Sequence, residues 1–301
     1  MTLLERLKEA AGETQVKVQE PMKHHCTFQT GGPADYFVEV SSWRVLFTVL
    51  ALLKEEGVPV TVLGKGSNVL VKEGGIRGAV VTLGEGFRQV RRDGNCLVVG
   101  AGAALSQMAL AAMEASLSGV AFAGGIPGTF GGAVVMNAGA YGGELKDVLK
   151  EVTVLDQKLQ VQTLPASALD LGYRHSNIIE KGYLVLEGVL ELEEGDKEAI
   201  RAQMKDYAAR RREKQPLEYA SAGSTFKRPE GHFAGALIEQ CGLKGYQVGG
   251  GAVSTKHAGF VVNLGQAKSD DLLAVIAHVQ SVVLEQTGVA LECEVKIIGE
   301  D

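Results

Sequence analysis

The stretch at residues 123–143 constrains the fold of this chain most, because it contains eight glycines in twenty-one positions and no charged side chain. Its sequence is AGGIPGTFGGAVVMNAGAYGG. Glycine loses more backbone entropy in a helix or strand than any other residue, so the stretch predicts neither. It is too apolar for a flexible linker. Because bare main-chain amides bind phosphate without a lysine, the stretch predicts a backbone cradle around a large phosphorylated cofactor.

Composition narrows the class of protein. The chain has 301 residues, of which 46% are hydrophobic and 22% charged, as in a globular protein of two or three domains. A net charge of -6 argues against nucleic acid as a partner. Cys26, Cys96, Cys241 and Cys293 show neither zinc nor disulfide spacing, so we expect no metal site and free thiols.

The N-terminus lacks the pattern of a signal peptide, and no apolar run is long enough for a membrane span. We expect a cytoplasmic protein with no membrane contact.

Hydrophobic periodicity predicts alternating helices and strands. The predicted helices are 45–56, a helix capped by Ser106 and reaching residue 117, 197–214, 234–241 and 272–286. The predicted strands are 58–63, 79–83, 96–100, 183–192, 259–263 and 291–298, with a hairpin that turns near Gln157 and Lys158. The helix at 197–214 ends before Pro216 and is interpreted as a connector between domains.

The glycine loops belong to neither of the two best-known nucleotide-binding classes. The loop GKGSN at residues 64–68 lacks the first glycine of a Walker loop, and Lys65 is followed by Gly66 rather than by serine or threonine. Gly84 and Gly86 begin a dinucleotide fingerprint, but Gln89 occupies the position of its third glycine. Two glycine loops about sixty residues apart could close on an extended diphosphate. That arrangement suits FAD better than a mononucleotide.

The chain contains six motifs that occur in the same order as in a known protein family. They extend over almost the whole chain. They are TFQTGGPAD at 27–35, GKGSN at 64–68, GGIPGTFGGAVVMNAGAYG at 124–142, YRHS at 173–176, GSTFKRP at 223–229 and LECEVKIIG at 291–299. In these motifs the chain resembles the UDP-N-acetylenolpyruvoylglucosamine reductase family, in its compact subtype. The resemblance implies an α+β fold, with an FAD-binding fold of the vanillyl-alcohol-oxidase type in two subdomains (1–78 and 79–205) and a C-terminal α+β substrate-binding domain (206–301).

The resemblance also implies the cofactor and the reaction. NADPH would reduce a noncovalent FAD and leave. The enolpyruvyl ether of UDP-N-acetylglucosamine would then accept a hydride on its methylene carbon and a proton on the adjacent carbon, giving UDP-N-acetylmuramate for peptidoglycan synthesis. His24 and His25 raise the alternative of a covalent flavin. The residues expected to bind FAD are Gly64, Lys65, Gly66, Ser67, Asn68, Gly124, Ile126, Pro127, Gly128, Thr129, Gly132, Asn137, Ala138 and Gly139.

Hydride addition to an enolpyruvate places negative charge on the carbon beside its carboxylate, so catalysis needs a cation there and a proton donor. Arg174 matches the family's arginine, and a planar guanidinium suits the developing oxyanions. Ser224 matches the family's proton donor. Glu292 and Glu294 would share one strand face, and only the motif selects Glu294. An ionised carboxylate would repel the developing charge, so we expect Glu294 to hold a proton when it acts.

Cations are needed for the uridine diphosphate. The resemblance implies substrate binding by Tyr173, Lys214, Lys227, Arg228, Lys244 and His257. The run Arg210–Arg212 could form part of the same pocket, or it could be a solvated helix end. The family commonly has FKNP where this chain has FKRP, and an arginine at 228 cannot accept a hydrogen bond as an asparagine can.

Two other functions stay open on the sequence. An oxidase of the same fold, acting on a small alcohol or sugar, would share the glycine loops but have no use for Ser224 and Glu294. A non-catalytic flavin- or nucleotide-binding regulator would need none of the three catalytic side chains. We expect a monomer that takes small-molecule substrates.

Overall fold

The computed structural model describes residues 1–301 and divides into two compact units. The first unit comprises residues 1–17, 36–64 and 78–211, and the second comprises residues 18–35, 65–77 and 212–301. The predicted division at 1–78, 79–205 and 206–301 stays a prediction. No helix is long and apolar enough to cross a membrane.

The chain forms seven α-helices. They are α1 (Leu3–Ala11), α2 (Trp43–Glu55), α3 (Leu105–Glu114), α4 (Phe130–Met136), α5 (Lys197–Lys214), α6 (Ala234–Gln240) and α7 (Ser269–Thr287). The predictions of α2, α5, α6 and α7 are confirmed within a few residues, and α5 has the predicted bounds. Ser42 caps α2 through its side-chain oxygen, which accepts a hydrogen bond from the N–H of Val45.

Eighteen short strands complete the secondary structure. They are β1 (Val16–Pro21), β2 (Pro33–Val40), β3 (Val60–Leu63), β4 (Val69–Val71), β5 (Ile76–Leu83), β6 (Val90–Asp93), β7 (Cys96–Gly100), β8 (Leu117–Ser118), β9 (Gly139–Ala140), β10 (Gly143–Glu144), β11 (Leu149–Leu155), β12 (Val161–Pro165), β13 (Leu184–Glu191), β14 (Glu193–Glu194), β15 (Gln247–Val248), β16 (Gly251–Val253), β17 (Val261–Asn263) and β18 (Lys296–Ile298).

The strands pair in small sheets. The first unit contains a five-stranded antiparallel sheet of order β12–β11–β13–β7–β6, and a four-stranded sheet has the order β1–β2–β5–β3. The second unit contains the antiparallel sheet β15–β16–β17 and the parallel pair β4–β18. The predicted hairpin is confirmed as β11–β12, with Asp156 closing its turn by accepting the main-chain N–H groups of Lys158 and Gln160.

Helix α4 corrects the prediction that the glycine stretch forms no regular element. Its seven residues include Gly131 and Gly132, and burial of Phe130 and Val134 offsets the entropy that these glycines lose. Gly131 is also needed for close packing, because a Cβ there would lie 3.0 Å from the Cβ of Ala101. Asn137 ends the helix in the left-handed conformation, with φ 39°.

Two other predictions about elements were wrong. Ser106 does not cap α3: the cap is Ala104, which has no side-chain hydrogen bond, and Ser106 lies inside the helix. The last strand is shorter than the predicted 291–298, because regular pairing is confined to β18 beside β4. Before β18, only Cys293 forms a β-bridge, to Phe226.

The first unit holds two apolar clusters. One surrounds the fully buried Phe130 and includes residues of α3, α4, β7, β11 and β13. The other packs α1 and α2 against β5 and includes the fully buried Leu46 and Leu53. A small cluster in the second unit consists of Ala252, Phe260 and Val262.

Candidate functional site

The two glycine loops meet in the first unit. Gly64, which follows β3, lies against Thr129, the residue before α4. A Cβ at Gly64 would lie 2.5 Å from the side-chain Oγ1 of Thr129, closer than a methyl group can approach it. Glycine at residue 64 is therefore required for this contact. The two loops are therefore neighbours at this pair, and their closure on an extended diphosphate stays a prediction.

The turn before α4 offers main-chain donors. The N–H groups of Gly128 and Thr129 have no acceptor within the protein, and both residues are partly exposed. The Oγ1 of Thr129 accepts a hydrogen bond from the N–H of Gly132 at 3.4 Å, which holds the turn onto the helix. Unpaired amides with few side chains around them form a donor set suited to a phosphate or diphosphate.

The other predicted cofactor residues of this stretch have structural contacts in the first unit. Gly124 lies against the methyl group of Met204, and Ile126 and Ala138 pack on the larger apolar cluster. Pro127 is exposed in the turn. Gly139 pairs with Glu144 in the β9–β10 hairpin. Asn137 is fully buried, and its amide bonds to protein groups only.

The GKGSN loop continues into the second unit, where Gly66 and Asn68 have defined contacts. Gly66 has φ 59°, and a Cβ there would lie 2.2 Å from the carbonyl oxygen of His25, so only glycine fits. The carbonyl of Gly66 accepts the N–H of Thr27 at 3.0 Å. Asn68 donates from its Nδ2 to the carbonyl of Glu294 at 3.3 Å. Lys65 is exposed and forms no ion pair, and Ser67 is half-buried.

Ser224 and Glu294 lie on neighbouring segments of the second unit. The N–H of Glu294 donates to the carbonyl of Thr225 at 2.8 Å, and the N–H of Lys227 donates to the carbonyl of Glu292 at the same distance. Ser224 is exposed and Glu294 is half-buried. The structure therefore lays the segments that carry two of the three predicted catalytic residues side by side, and it places Arg174 in the first unit.

Thr225 anchors this pairing, and the sequence reasoning missed it. Its side chain is fully buried, and its Oγ1 accepts the N–H of Val261 at 2.9 Å. Its own N–H donates to the carbonyl of Gly259 at 2.8 Å. The only sequence signal was a second hydroxyl beside Ser224. The Thr225 hydroxyl is buried by contacts with residues more than thirty positions away, and this burial fixes the segment that carries Ser224.

The predicted substrate-binding cations differ in their surroundings. Lys227 forms an ion pair with Glu292, and Lys244 bonds to Glu239 at 2.6 Å. The guanidinium carbon of Arg228 lies 3.9 Å from the centroid of the Phe233 ring, a cation–π contact that needs an arginine or lysine rather than the asparagine common in the family. Lys214, at the end of α5, is exposed and forms no ion pair.

His257 lies in a packed position. Burial lowers its pKa below the ordinary value. Its Nδ1 accepts the N–H of Gly259 at 3.1 Å, so the neutral ring carries its proton on Nε2. The ring lies close to Gly235, where a Cβ would be 3.3 Å from Cε1, and it meets Phe260 edge-on. Gly259 links His257 to Thr225 by two hydrogen bonds: its N–H donates to His257, and its carbonyl accepts the N–H of Thr225.

Arg174 lies at the tip of a tight turn in the first unit. Gly172 and His175 exchange main-chain hydrogen bonds across the turn, and Arg174 has φ 53°, a left-handed conformation that is costly for a residue with a side chain. Its Nη2 donates to the carbonyl of Gly139 at 3.2 Å. Tyr173 is exposed, and its ring centroid lies 5.1 Å from the Arg174 guanidinium.

Comparisons with known proteins identify the family. The model of the UDP-N-acetylenolpyruvoylglucosamine reductase C-terminal domain matches residues 215–298, and an FAD-binding domain model matches residues 34–164. The reductase of Agathobacter rectalis is 50% identical over 99% of each chain. The chain belongs to the UDP-N-acetylenolpyruvoylglucosamine reductase family. The reductase of Clostridioides difficile is 49% identical over 95% of this chain and 94% of its own.

A solved structure supports the same assignment. The UDP-N-acetylenolpyruvylglucosamine reductase of Thermus caldophilus superposes with a TM-score of 0.81 at 35% identity, covering 94% of this chain and 97% of its own. The predicted fold class is confirmed, and the protein is an oxidoreductase of this family that uses FAD. The donor set before α4 fits the diphosphate of that cofactor. The roles of individual site residues stay predictions.

Proposed function

We propose that this protein reduces the enolpyruvyl ether of UDP-N-acetylglucosamine to UDP-N-acetylmuramate, with NADPH as the source of the hydride. Family membership supports the reaction and its place in peptidoglycan synthesis. The proposal includes a noncovalent FAD and a monomeric enzyme in the cytoplasm. The four cysteines are free, as in a reducing compartment.

The observation that carries the proposal is the pairing of residues 225–227 with residues 292–294 in the second unit. A phosphate cradle by itself supports only the binding of a flavin, and an oxidase of the same fold would also bind one. An exposed hydroxyl and a half-buried carboxyl on neighbouring segments supply in addition a proton donor and a second proton-bearing group. Reduction of an enolpyruvate needs such a donor, because the carbon beside the carboxylate must gain a proton.

Each side chain then has a role in the proposal. FAD, when bound and reduced, supplies the hydride. Arg174 stabilises the negative charge that develops on the substrate carboxylate, since a guanidinium donates two parallel hydrogen bonds to such a group. Ser224 delivers the proton to the adjacent carbon. Glu294 holds a proton when it acts, because an ionised carboxylate would oppose the developing charge.

The cations of the second unit bind the nucleotide in the same proposal. Lys214 is available to a phosphate without loss of an ion pair. Lys227 and Lys244 would exchange a carboxylate partner for the ligand. Arg228 presents its guanidinium above Phe233, whose ring is 62% exposed, and it can donate to a phosphate from there. His257 donates only from Nε2, since Nδ1 is occupied.

Ser224→Ala tests the proposal by separating two half-reactions. We expect NADPH to bleach the flavin at the wild-type rate, while the enolpyruvyl nucleotide restores its colour about 10²–10⁴-fold more slowly, the usual contribution of a general acid. Ser221→Ala is the matched control, because Ser221 lies three residues away and makes no hydrogen bond. If Ser224→Ala and the wild type reoxidise at the same rate with the nucleotide, the assignment of Ser224 is wrong.

A further inference from the structure

The buried amide of Asn137 connects three segments around the turn that carries Arg174. Its Nδ2 donates to the carboxylate of Glu144 and to the carbonyl of Gly172, both at 2.9 Å. Its Oδ1 accepts the N–H of Lys146 at 2.9 Å. These bonds use both amide protons and the amide oxygen, and the residue has no exposed surface. The side chain is therefore saturated by the protein and has no donor left for a cofactor.

The turn at 172–175 needs external support. Arg174 holds a left-handed backbone conformation, which is unfavourable for a residue other than glycine. Two side-chain bonds fix the turn to the C-terminal end of α4: Asn137 holds Gly172, and the Oγ of Ser176 donates to the carbonyl of Val135 at 2.8 Å. The main-chain pairing of Gly172 with His175 closes the turn but does not by itself orient Arg174 relative to α4. We infer that the two side-chain bonds set this orientation.

The same network also acts on the Arg174 side chain. Its guanidinium donates to the carbonyl of Gly139, in the hairpin that Asn137 holds through Glu144. The ion pair with Lys146, the bond from Asn137 and the positive charge of Arg174 all lower the pKa of Glu144, which keeps that carboxylate ionised. At the other end of α4 lie Gly128 and the capping residue Thr129, whose main-chain N–H groups are the unpaired amides of the glycine turn. We call the turn formed by Gly128 and Thr129 the flavin cradle, and helix α4 joins it to the arginine turn at residues 172–175.

We propose that Asn137 is a positioning residue that sets Arg174 relative to the flavin cradle, instead of the cofactor ligand that the motif implies. The inference rests on the proposed role of Arg174. A displacement of about 1 Å in a catalytic group can cost on the order of 10²-fold in rate. Loss of the Asn137 amide should therefore slow reduction of the nucleotide and leave the cofactor in place.

Asn137→Gly is the direct test, because glycine accepts φ 39° without strain and deletes only the side chain. We expect the kcat for nucleotide reduction to fall about 10- to 100-fold. FAD content, FAD affinity and the rate of flavin bleaching by NADPH should be unchanged. Calorimetry should show weaker binding of the lactyl product, whose carboxylate Arg174 would hold. Asn177→Ala is the matched control, since the amide of Asn177 also donates to a main-chain carbonyl, but to that of Ala168, which lies outside the turn.

A double-variant comparison separates positioning from simple damage. In an Arg174→Ala background, Asn137→Gly should cause no further loss, because both changes remove the same interaction. An additive loss, or weakened FAD binding with normal turnover at saturating FAD, would overturn the inference. If Arg174→Ala alone leaves nucleotide reduction unchanged, the proposed role of Arg174 fails first, and the inference fails with it. Ser176→Ala cuts the second bond to α4 and should give the same pattern if Asn137→Gly does not fold.

Discussion

Gly64→Ala tests the contact between the two glycine loops. The new methyl carbon would lie 2.5 Å from Oγ1 of Thr129, against an ordinary separation of about 3.5 Å or more, so one loop must move by about 1 Å. Rotation of the Thr129 side chain would relieve the clash only by breaking the bond that its Oγ1 accepts from the N–H of Gly132 at the start of α4. Overpacking of this kind costs about 1–3 kcal/mol.

The cost should appear mainly as weaker cofactor binding. Without FAD, the two loops can separate and release the strain, but the cradle must restore their contact to hold the diphosphate. Each 1.4 kcal/mol raises the dissociation constant about tenfold, so we expect it to rise about 5- to 150-fold. The assay is titration of the apoprotein with FAD, followed by quenching of flavin fluorescence, with thermal unfolding measured in parallel.

The variant Thr129→Ala completes the comparison. Alone it removes a weak cap, worth about 0.5–2 kcal/mol. In combination with Gly64→Ala it also removes the atom that the new methyl would strike, so the two effects should be clearly less than additive. Wild-type FAD affinity in Gly64→Ala, or strict additivity in the double variant, would refute the reasoning that the loops pack against one another around the cofactor.

Two predictions concern pH. Burial lowers the pKa of His257 in the folded protein, so as pH falls this residue takes up a proton more readily in the unfolded chain. The free energy of unfolding should therefore fall as pH drops below about 6.5. In thermal unfolding, His257→Gln should remove this pH dependence, whereas His24→Gln, at an exposed histidine, should keep it. Main-chain N–H groups of the hairpin turn lower the pKa of Asp156, so its contribution is present above about pH 4 and lost as pH falls through the folded-state pKa. Asp156→Asn should therefore melt earlier than the wild type at neutral pH and no earlier in strong acid. A constant difference between the two at every pH would contradict this.

Local sequence signals predicted much of the fold. The bounds of α5 followed from a charged helical segment that ends before Pro216, and those of β7 from a short apolar run. Helix α4 could not be predicted, because its two glycines are compensated by burial of Phe130 and by contact with Ala101, residues whose proximity depends on the fold. Local propensity yields to tertiary packing there.

The candidate site was predictable to the extent that motifs carry it. The sequence selected Ser224 and Glu294 from separate motifs, and the structure lays their segments side by side. No sequence pattern indicated that Asn137 connects several segments, because the bond from its side chain to Gly172 joins residues 35 positions apart. The buried Thr225 hydroxyl was hidden for the same reason. Only the three-dimensional structure shows whether all the hydrogen-bonding atoms of a side chain are already used within the protein, and so whether that side chain supports the fold or can bind a ligand.

Anaerobic reoxidation of the NADPH-reduced protein by the enolpyruvyl nucleotide tests the central proposal most directly. We expect the flavin colour to return rapidly, with one molecule of UDP-N-acetylmuramate formed for each flavin reoxidised. Titration of the nucleotide into the reduced protein gives that ratio, and mass analysis identifies the product. A reduced flavin that ignores the nucleotide and is reoxidised only when dioxygen is admitted would contradict the proposal and indicate an oxidase of the same fold.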